Sequence, residues 1–144
     1  MEIEDITIID FLKIETLGKE SLPIYYSKND LLVLIINKTI LKKFIFNGEI
    51  IGFGICDLYE NENRVHILSI AIKKEYRNRG FSTFFIDFLK NTFSFDITLY
   101  VQTVNEEALG FYKKNNFKIV KTLNNYYSNL SSKDAYFMKY DKST

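Results

Sequence analysis

Apolar positions change their period along the chain, and the changes mark the elements. Residues 65–72, Val-His-Ile-Leu-Ser-Ile-Ala-Ile, form an almost unbroken apolar, β-branched run, the pattern of a buried strand. After a basic turn, Phe81, Phe84, Phe85, Phe88 and Leu89 return at helical spacing. This strand, turn and helix organise the rest. Upstream, residues 2–6 read as a short edge strand, and Ile9, Leu12, Ile14 and Leu17 predict a helix for which Gly18 is the expected stop. Ser27 and Asp30 resemble an N-cap ahead of the apolar residues 31–36. Residues 39–46, the turn Asn47-Gly48 and residues 49–58 predict a hairpin, and Gly52 and Gly54 within it predict close backbone packing or a bulge.

Downstream of the Phe-rich helix, residues 97–102 alternate, with Ile97, Leu99 and Val101 on one face and Thr98, Tyr100 and Gln102 on the other. Glu106 and Glu107 at the start, Lys113 and Lys114 at the end, and Asn115-Asn116 as a left-handed stop predict a short helix. Its inward candidates are Ala108, Leu109, Phe111 and Tyr112. Strands over 117–122 and 135–140 flank a polar, tyrosine-bearing loop. No internal repeat or low-complexity linker divides the chain. One α/β domain over residues 1–144 is expected, with antiparallel hairpins first and strand-helix-strand units later.

Composition narrows the function. At 144 residues and 47% hydrophobic content the chain can bury a sizeable core. A formal charge of +1 argues against a protein that grips nucleic acid by its backbone. Cys56 is the sole cysteine and His66 the sole histidine, which excludes an internal disulfide and argues against zinc; no metal is expected, and Cys56 reads as packing. The acidic start lacks a leader's basic and small-residue features, and no apolar run nears the ~18 residues of a membrane span. A cytoplasmic protein with no membrane partner is expected.

The turn Arg77-Asn78-Arg79-Gly80-Phe81-Ser82 has the chemistry a phosphate needs. A helix begins there with outward N–H groups and the positive end of its dipole, Gly80 lets the backbone come close, and two arginines add charge. The plain alternative is a solvated basic loop.

Two motifs together carry a family resemblance. Arg77-x-x-Gly80-x-Ser82, opening a helix after a strand, resembles the cofactor motif of the Gcn5-related N-acetyltransferases, with Ser82 in place of the usual glycine or alanine. Asn105-x-x-Ala108-x-x-Phe111-Tyr112, with Phe117 five residues on, resembles the second motif of that superfamily, with Asn116 standing where a glycine is usual. Residues 99–102, Tyr126-Tyr127 and 134–138 are similar to the protein N-terminal acetyltransferases. The San type, catalytic subunit of N-terminal acetyltransferase E, is the best match, and the bacterial ribosomal-protein alanine acetyltransferase the next.

The resemblance implies a mixed, mostly antiparallel sheet of six or seven strands, flanked by about four helices, with splayed central strands. It implies transfer of acetyl from acetyl-CoA to the N-terminal α-amino group of proteins. A ribosome-associated auxiliary subunit is an implied partner. Cofactor contacts fall on Ile70, Ala71, Ile72, Arg77, Asn78, Arg79, Gly80, Phe81, Ser82, Thr83, Asn105 and Tyr112. Peptide contacts fall on Leu22, Pro23, Ile24, Tyr26, Leu68, Tyr126 and Tyr127. In the San type a tyrosine and a histidine share the base work through water; here His66 stands at the tyrosine's place and Tyr100 at the histidine's. That exchange points to His66 as general base, directly or through a water that Tyr100 positions, and the family pattern makes Tyr112 the general acid. The plain alternatives are a hydrogen-bonded core histidine and helix packing. On the same fold, acetylation of a lysine or small amine, and a non-catalytic acetyl-CoA-binding subunit, stay open.

Overall fold

The computed structural model describes residues 1–37 and 39–143. Among them, seven strands form one mixed, mostly antiparallel sheet in the order β1-β2-β3-β4-β5-β7-β6. The strands are β1 (Glu2–Asp5), β2 (Ile40–Phe46), β3 (Glu49–Tyr59), β4 (Arg64–Ile72), β5 (Asp96–Gln102), β6 (Lys118–Leu123) and β7 (Ala135–Tyr140). The helices are α1 (Phe11–Ser21), α2 (Lys28–Ile36), α3 (Phe81–Thr92) and α4 (Glu106–Lys114).

The chain divides into two compact units, residues 1–58 with 68–87, and residues 59–67 with 88–144. In the first, β1, β2 and β3 are antiparallel neighbours. The hairpin turns where Asn47 and Gly48 both take positive φ, 51° and 77°, the pair of angles that a two-residue hairpin turn demands. Ile6, Phe11, Ile14, Leu17, Leu31, Leu41, Phe53, Ile55 and Ala71 form its core. Gly52 and Gly54 are glycine because of close approach. A Cβ on Gly52 would overlap the Ala71 carbonyl oxygen, and one on Gly54 the Phe85 ring.

One expectation is corrected here. Gly18 does not stop α1, which continues to Ser21 before Leu22 turns extended. Gly18 is buried, and a Cβ there would lie 3.1 Å from Tyr25 Cβ and 3.5 Å from the Phe53 ring. Tight packing accounts for it, and no chain reversal is needed. At α2 the Ser27 hydroxyl accepts from Asp30 N–H while the Asp30 carboxylate accepts from Ser27 N–H, a full capping box.

In the second unit, β4 and β5 pair in parallel from Arg64↔Asp96 to Ile67↔Leu99. β7 is antiparallel to both β5 and β6. Alternation on β5 places Ile97, Leu99 and Val101 in a core with Val65, Ile67, Ala135 and Met138. α4 starts where the Asn105 side chain accepts from Ala108 N–H at 3.1 Å, and stops where Asn116 takes φ 72°. β6 is exposed through most of its length, as an edge strand next to β7 alone.

Candidate functional site

In the first unit the chemistry sits between β4 and α3. Asn78 and Gly80 both take positive φ, 62° and 85°, which reverses the chain and starts α3 at Phe81. Phe84 N–H is bonded to Gly80 C=O at 3.0 Å, so the amides just before it belong to the helix's positive end. A Cβ on Gly80 would meet nothing within 4 Å. Its conformation, not crowding, therefore requires glycine, and the turn has room for a ligand against its backbone. A phosphate fits these residues.

The two arginines of the turn do different work. Arg77 Nε donates to Ile72 C=O at 2.9 Å and ties the turn to the end of β4, while the Arg79 guanidinium lies 5.2 Å over the Tyr76 ring. Glu49 accepts from Lys73 Nζ at 2.8 Å and from the Tyr76 hydroxyl at 2.9 Å. Those two bonds hold the Glu49 carboxyl below its usual pKa. Lys73 is thereby neutralised, and Arg77 and Arg79 give the turn its positive character.

The residues expected near the cofactor's acyl end lie on β4. Ala71 and Ile72 have buried side chains, so their backbone is what they can offer; Ile70 is half-buried. Ser69, which the sequence did not single out, has a buried Oγ with no hydrogen-bond partner among the described residues. Of the expected peptide residues, Leu22, Tyr26 and Leu68 pack against one core, while Pro23 and Ile24 are exposed at the corner.

In the second unit, strand register builds the site. His66 is the parallel partner of Thr98, and its Nδ1 lies 2.8 Å from Thr98 Oγ1. Both are buried, at 7% and 1% exposure, which is why the pair must satisfy itself internally. Arg64, on the same face two residues earlier, donates from Nη1 to Thr98 Oγ1 at 2.8 Å. Its guanidinium is held by Glu62 at 3.0 Å and lies 4.5 Å over the Tyr59 ring. Tyr100 follows Thr98 on its face, and its ring stands edge-on to His66 at 5.0 Å. Tyr126 stacks on Tyr100 at 4.4 Å, Tyr127 meets Tyr126 edge-on at 4.9 Å, and Phe137 packs on Tyr100 at 5.2 Å.

The structure thus joins His66, Tyr100, Tyr126 and Tyr127 in one chain of ring contacts. Burial, with Tyr126 beside it, pushes the Tyr127 phenol up to about 12, and burial with Tyr100 also raises Tyr126. Both remain neutral hydroxyls across the physiological range. Tyr112 lies half-buried between the rings of Phe111 and Phe117, at 5.1 and 5.4 Å. Asn105 is occupied as the cap of α4. Arg64 and Thr98 escaped the sequence reading, although the period-2 pattern had already put Thr98 on the face of Tyr100. Cys56 is buried, and burial with the Asp57 charge raises its thiol pKa, which keeps it protonated. Among the described residues no group of three or more His, Cys, Asp or Glu side chains is placed to hold a metal, and no helix is long and apolar enough to cross a membrane.

Comparison with known proteins adds four findings. The model of the acetyltransferase (GNAT) family matches residues 13–117. The chain is 27% identical to N-alpha-acetyltransferase 50 of Danio rerio, across 96% of this chain and 87% of that protein. Among solved structures, Arabidopsis thaliana Naa50 in complex with the bisubstrate analogue CoA-Ac-MVNAL superposes with a TM-score of 0.84 at 26% identity, covering 96% of each chain. The ribosomal-protein-S18-alanine N-acetyltransferase of Escherichia coli shares the fold, with a TM-score of 0.86 at 17% identity over 99% of this chain and 94% of that one.

Proposed function

Because the chain belongs to the acetyltransferase (GNAT) family, we propose that it works as one catalytic domain that moves acetyl from acetyl-CoA to the N-terminal α-amino group of proteins. The observation that carries this reading is the continuous contact His66–Tyr100–Tyr126–Tyr127. It joins the residues proposed to act at the amine to those proposed to hold the peptide backbone. The likeness across nearly the whole chain to N-alpha-acetyltransferase 50, and to a structure holding a CoA-peptide analogue, supports the same substrate class.

Acetyl-CoA supplies an acyl group already activated as a thioester. The turn from Arg77 to Thr83 holds its pyrophosphate through helix amides and two guanidiniums. A backbone N–H near Ile70 polarises the acyl carbonyl, a contact worth about 3 kcal/mol in other enzymes. The attacking α-amine has a pKa of about 8, so roughly a tenth to a fifth of it is already neutral near neutral pH and a strong base is not required. His66 and Tyr100 orient the amine and the water through which its proton leaves. As the new C–N bond forms the C–S bond breaks, and Tyr112 returns a proton to the departing sulfur.

Leu22, Pro23, Ile24, Tyr26 and Leu68 form an apolar seat for the first side chain, suited to a retained methionine, with Tyr126 and Tyr127 donating to the peptide backbone. The proposal places the enzyme in the cytoplasm with an auxiliary ribosome-associated subunit. Apolar side chains exposed on α2, at Leu32, Val33 and Ile36, support a partner that covers them. Thiol release from acetyl-CoA with peptides beginning Met-Leu, Met-Glu, Ala and Ser tests the reading. Turnover is expected on free N-termini, highest for Met-Leu, and none on an N-blocked peptide with an internal lysine; the reverse pattern would refute it.

A further inference from the structure

Two polar side chains converge on one nitrogen of the only histidine in the chain. Arg64 Nη1 lies 3.4 Å from His66 Nδ1, and the same Nη1 donates to Thr98 Oγ1, itself 2.8 Å from Nδ1. A guanidinium donates and never accepts. Thr98 therefore accepts from Arg64, and two arrangements with His66 are then left. In one, Nδ1 carries a hydrogen and gives it to Thr98, which sets an imidazole N–H against a guanidinium N–H, positive pole to positive pole. In the other, Nδ1 is bare and accepts from the Thr98 hydroxyl, and its lone pair faces the guanidinium. The second is favoured by charge at both contacts. Arg64 does not swing away readily, because Glu62 binds it at 3.0 Å and the Tyr59 ring lies beneath it.

We infer that Arg64 and Thr98 are positioning residues that hold His66 as the neutral tautomer with its hydrogen on Nε2. On that tautomer any contact His66 makes to substrate or water through Nε2 is made as a hydrogen-bond donor, in place of the base that the sequence suggests. This rests on the acetyl-transfer reading. The attacking amine arrives neutral and sheds its proton to water, and the C–N and C–S bonds are made and broken as before. Burial supports the assignment, because an imidazolium here would sit beside a guanidinium with little water to screen the two charges.

A single histidine makes the test direct, since chain labelled with ¹⁵N-histidine gives one imidazole spin system. Long-range ¹H–¹⁵N correlation at pH 8 without substrate is expected to show hydrogen on Nε2 in the wild type and in Thr98→Ser. In Thr98→Val and Arg64→Met the population is expected to move toward the Nδ1–H form. Hydrogen on Nδ1 in the wild type, an imidazolium at pH 8, or indifference to both substitutions would overturn the inference. In steady state, Thr98→Val and Arg64→Met are expected to lower kcat about threefold to tenfold at unchanged acetyl-CoA KM, as loss of one hydrogen bond does, with Thr98→Ser within about twofold of wild type. Unchanged kcat in both would also overturn it. The spectrum needs no substrate, so a chain that failed to acetylate α-amines would refute the reading under Proposed function while the tautomer was still decided by the wild-type spectrum alone.

Discussion

The two units build their candidate sites from different materials. In the unit of residues 1–58 and 68–87 the site is backbone: two positive φ angles at Asn78 and Gly80, and the first turn of α3. In the unit of residues 59–67 and 88–144 it is side chain, with His66, Thr98, Tyr100 and Tyr126 brought together by parallel register and a returning loop. A backbone site tolerates changes of side chain and is destroyed by a change of conformation. A side-chain site behaves in the opposite way, and substitutions should separate the two.

The largest effect is expected where backbone meets backbone. Gly52→Ala would drive a methyl group into the Ala71 carbonyl, and urea unfolding should show a loss of about 3 kcal/mol. Next is His66→Phe, which keeps the ring and its packing but removes both nitrogens; kcat should fall about thirtyfold while acetyl-CoA affinity holds. A change within twofold in a folded variant would remove His66 from the mechanism. Gly80→Ala sharpens the contrast from the other side, because the new methyl meets open space and only the φ of 85° is penalised. Acetyl-CoA KM should rise about tenfold with kcat nearly unchanged. Tyr112→Phe should lower kcat about fivefold without weakening acetyl-CoA binding, since the role proposed for the phenol begins only as the C–S bond breaks.

The smallest effect concerns stability outside both sites. Burial alone would raise the Asp10 pKa, but the Lys43 ammonium at 2.8 Å and the Thr7 N–H outweigh it and hold the pKa below the ordinary aspartate value. A carboxyl depressed in the folded state stabilises fully above its unfolded pKa of ~4, and that share is lost as pH falls through the lower folded value. Asp10→Asn should therefore cost about 1 kcal/mol at pH 7, and its deficit should shrink as pH falls below the unfolded aspartate value and through the lower folded one in denaturant titrations.

The same contrast explains what could be read in the chain itself. The glycine turn before α3, the Asn47-Gly48 hairpin, the Ser27–Asp30 cap and the Asn116 stop were legible because each is dictated by neighbours within a few residues. Gly18 misled because glycine near the end of an apolar period has two meanings, a reversal or a close contact, and only the Tyr25 and Phe53 side chains packed against it distinguish them. Arg64 and Thr98 were missed for the corresponding reason. Residues 32 apart meet through the register of two strands, and alternation gives each residue's face but not its partner across the gap. The exchange of His66 and Tyr100 is suggested only by family resemblance, and the tautomer proposed for His66 is argued from its neighbours Arg64 and Thr98.

The most direct test of the central claim uses one peptide that offers both nucleophiles, Met-Leu at a free N-terminus and a lysine within. After incubation with acetyl-CoA, fragment-ion mass spectrometry locates the added acetyl group. Acetyl on the α-nitrogen, with the lysine unmodified, is the predicted result. Acetyl on the lysine side chain, with the N-terminus still free, would contradict the account.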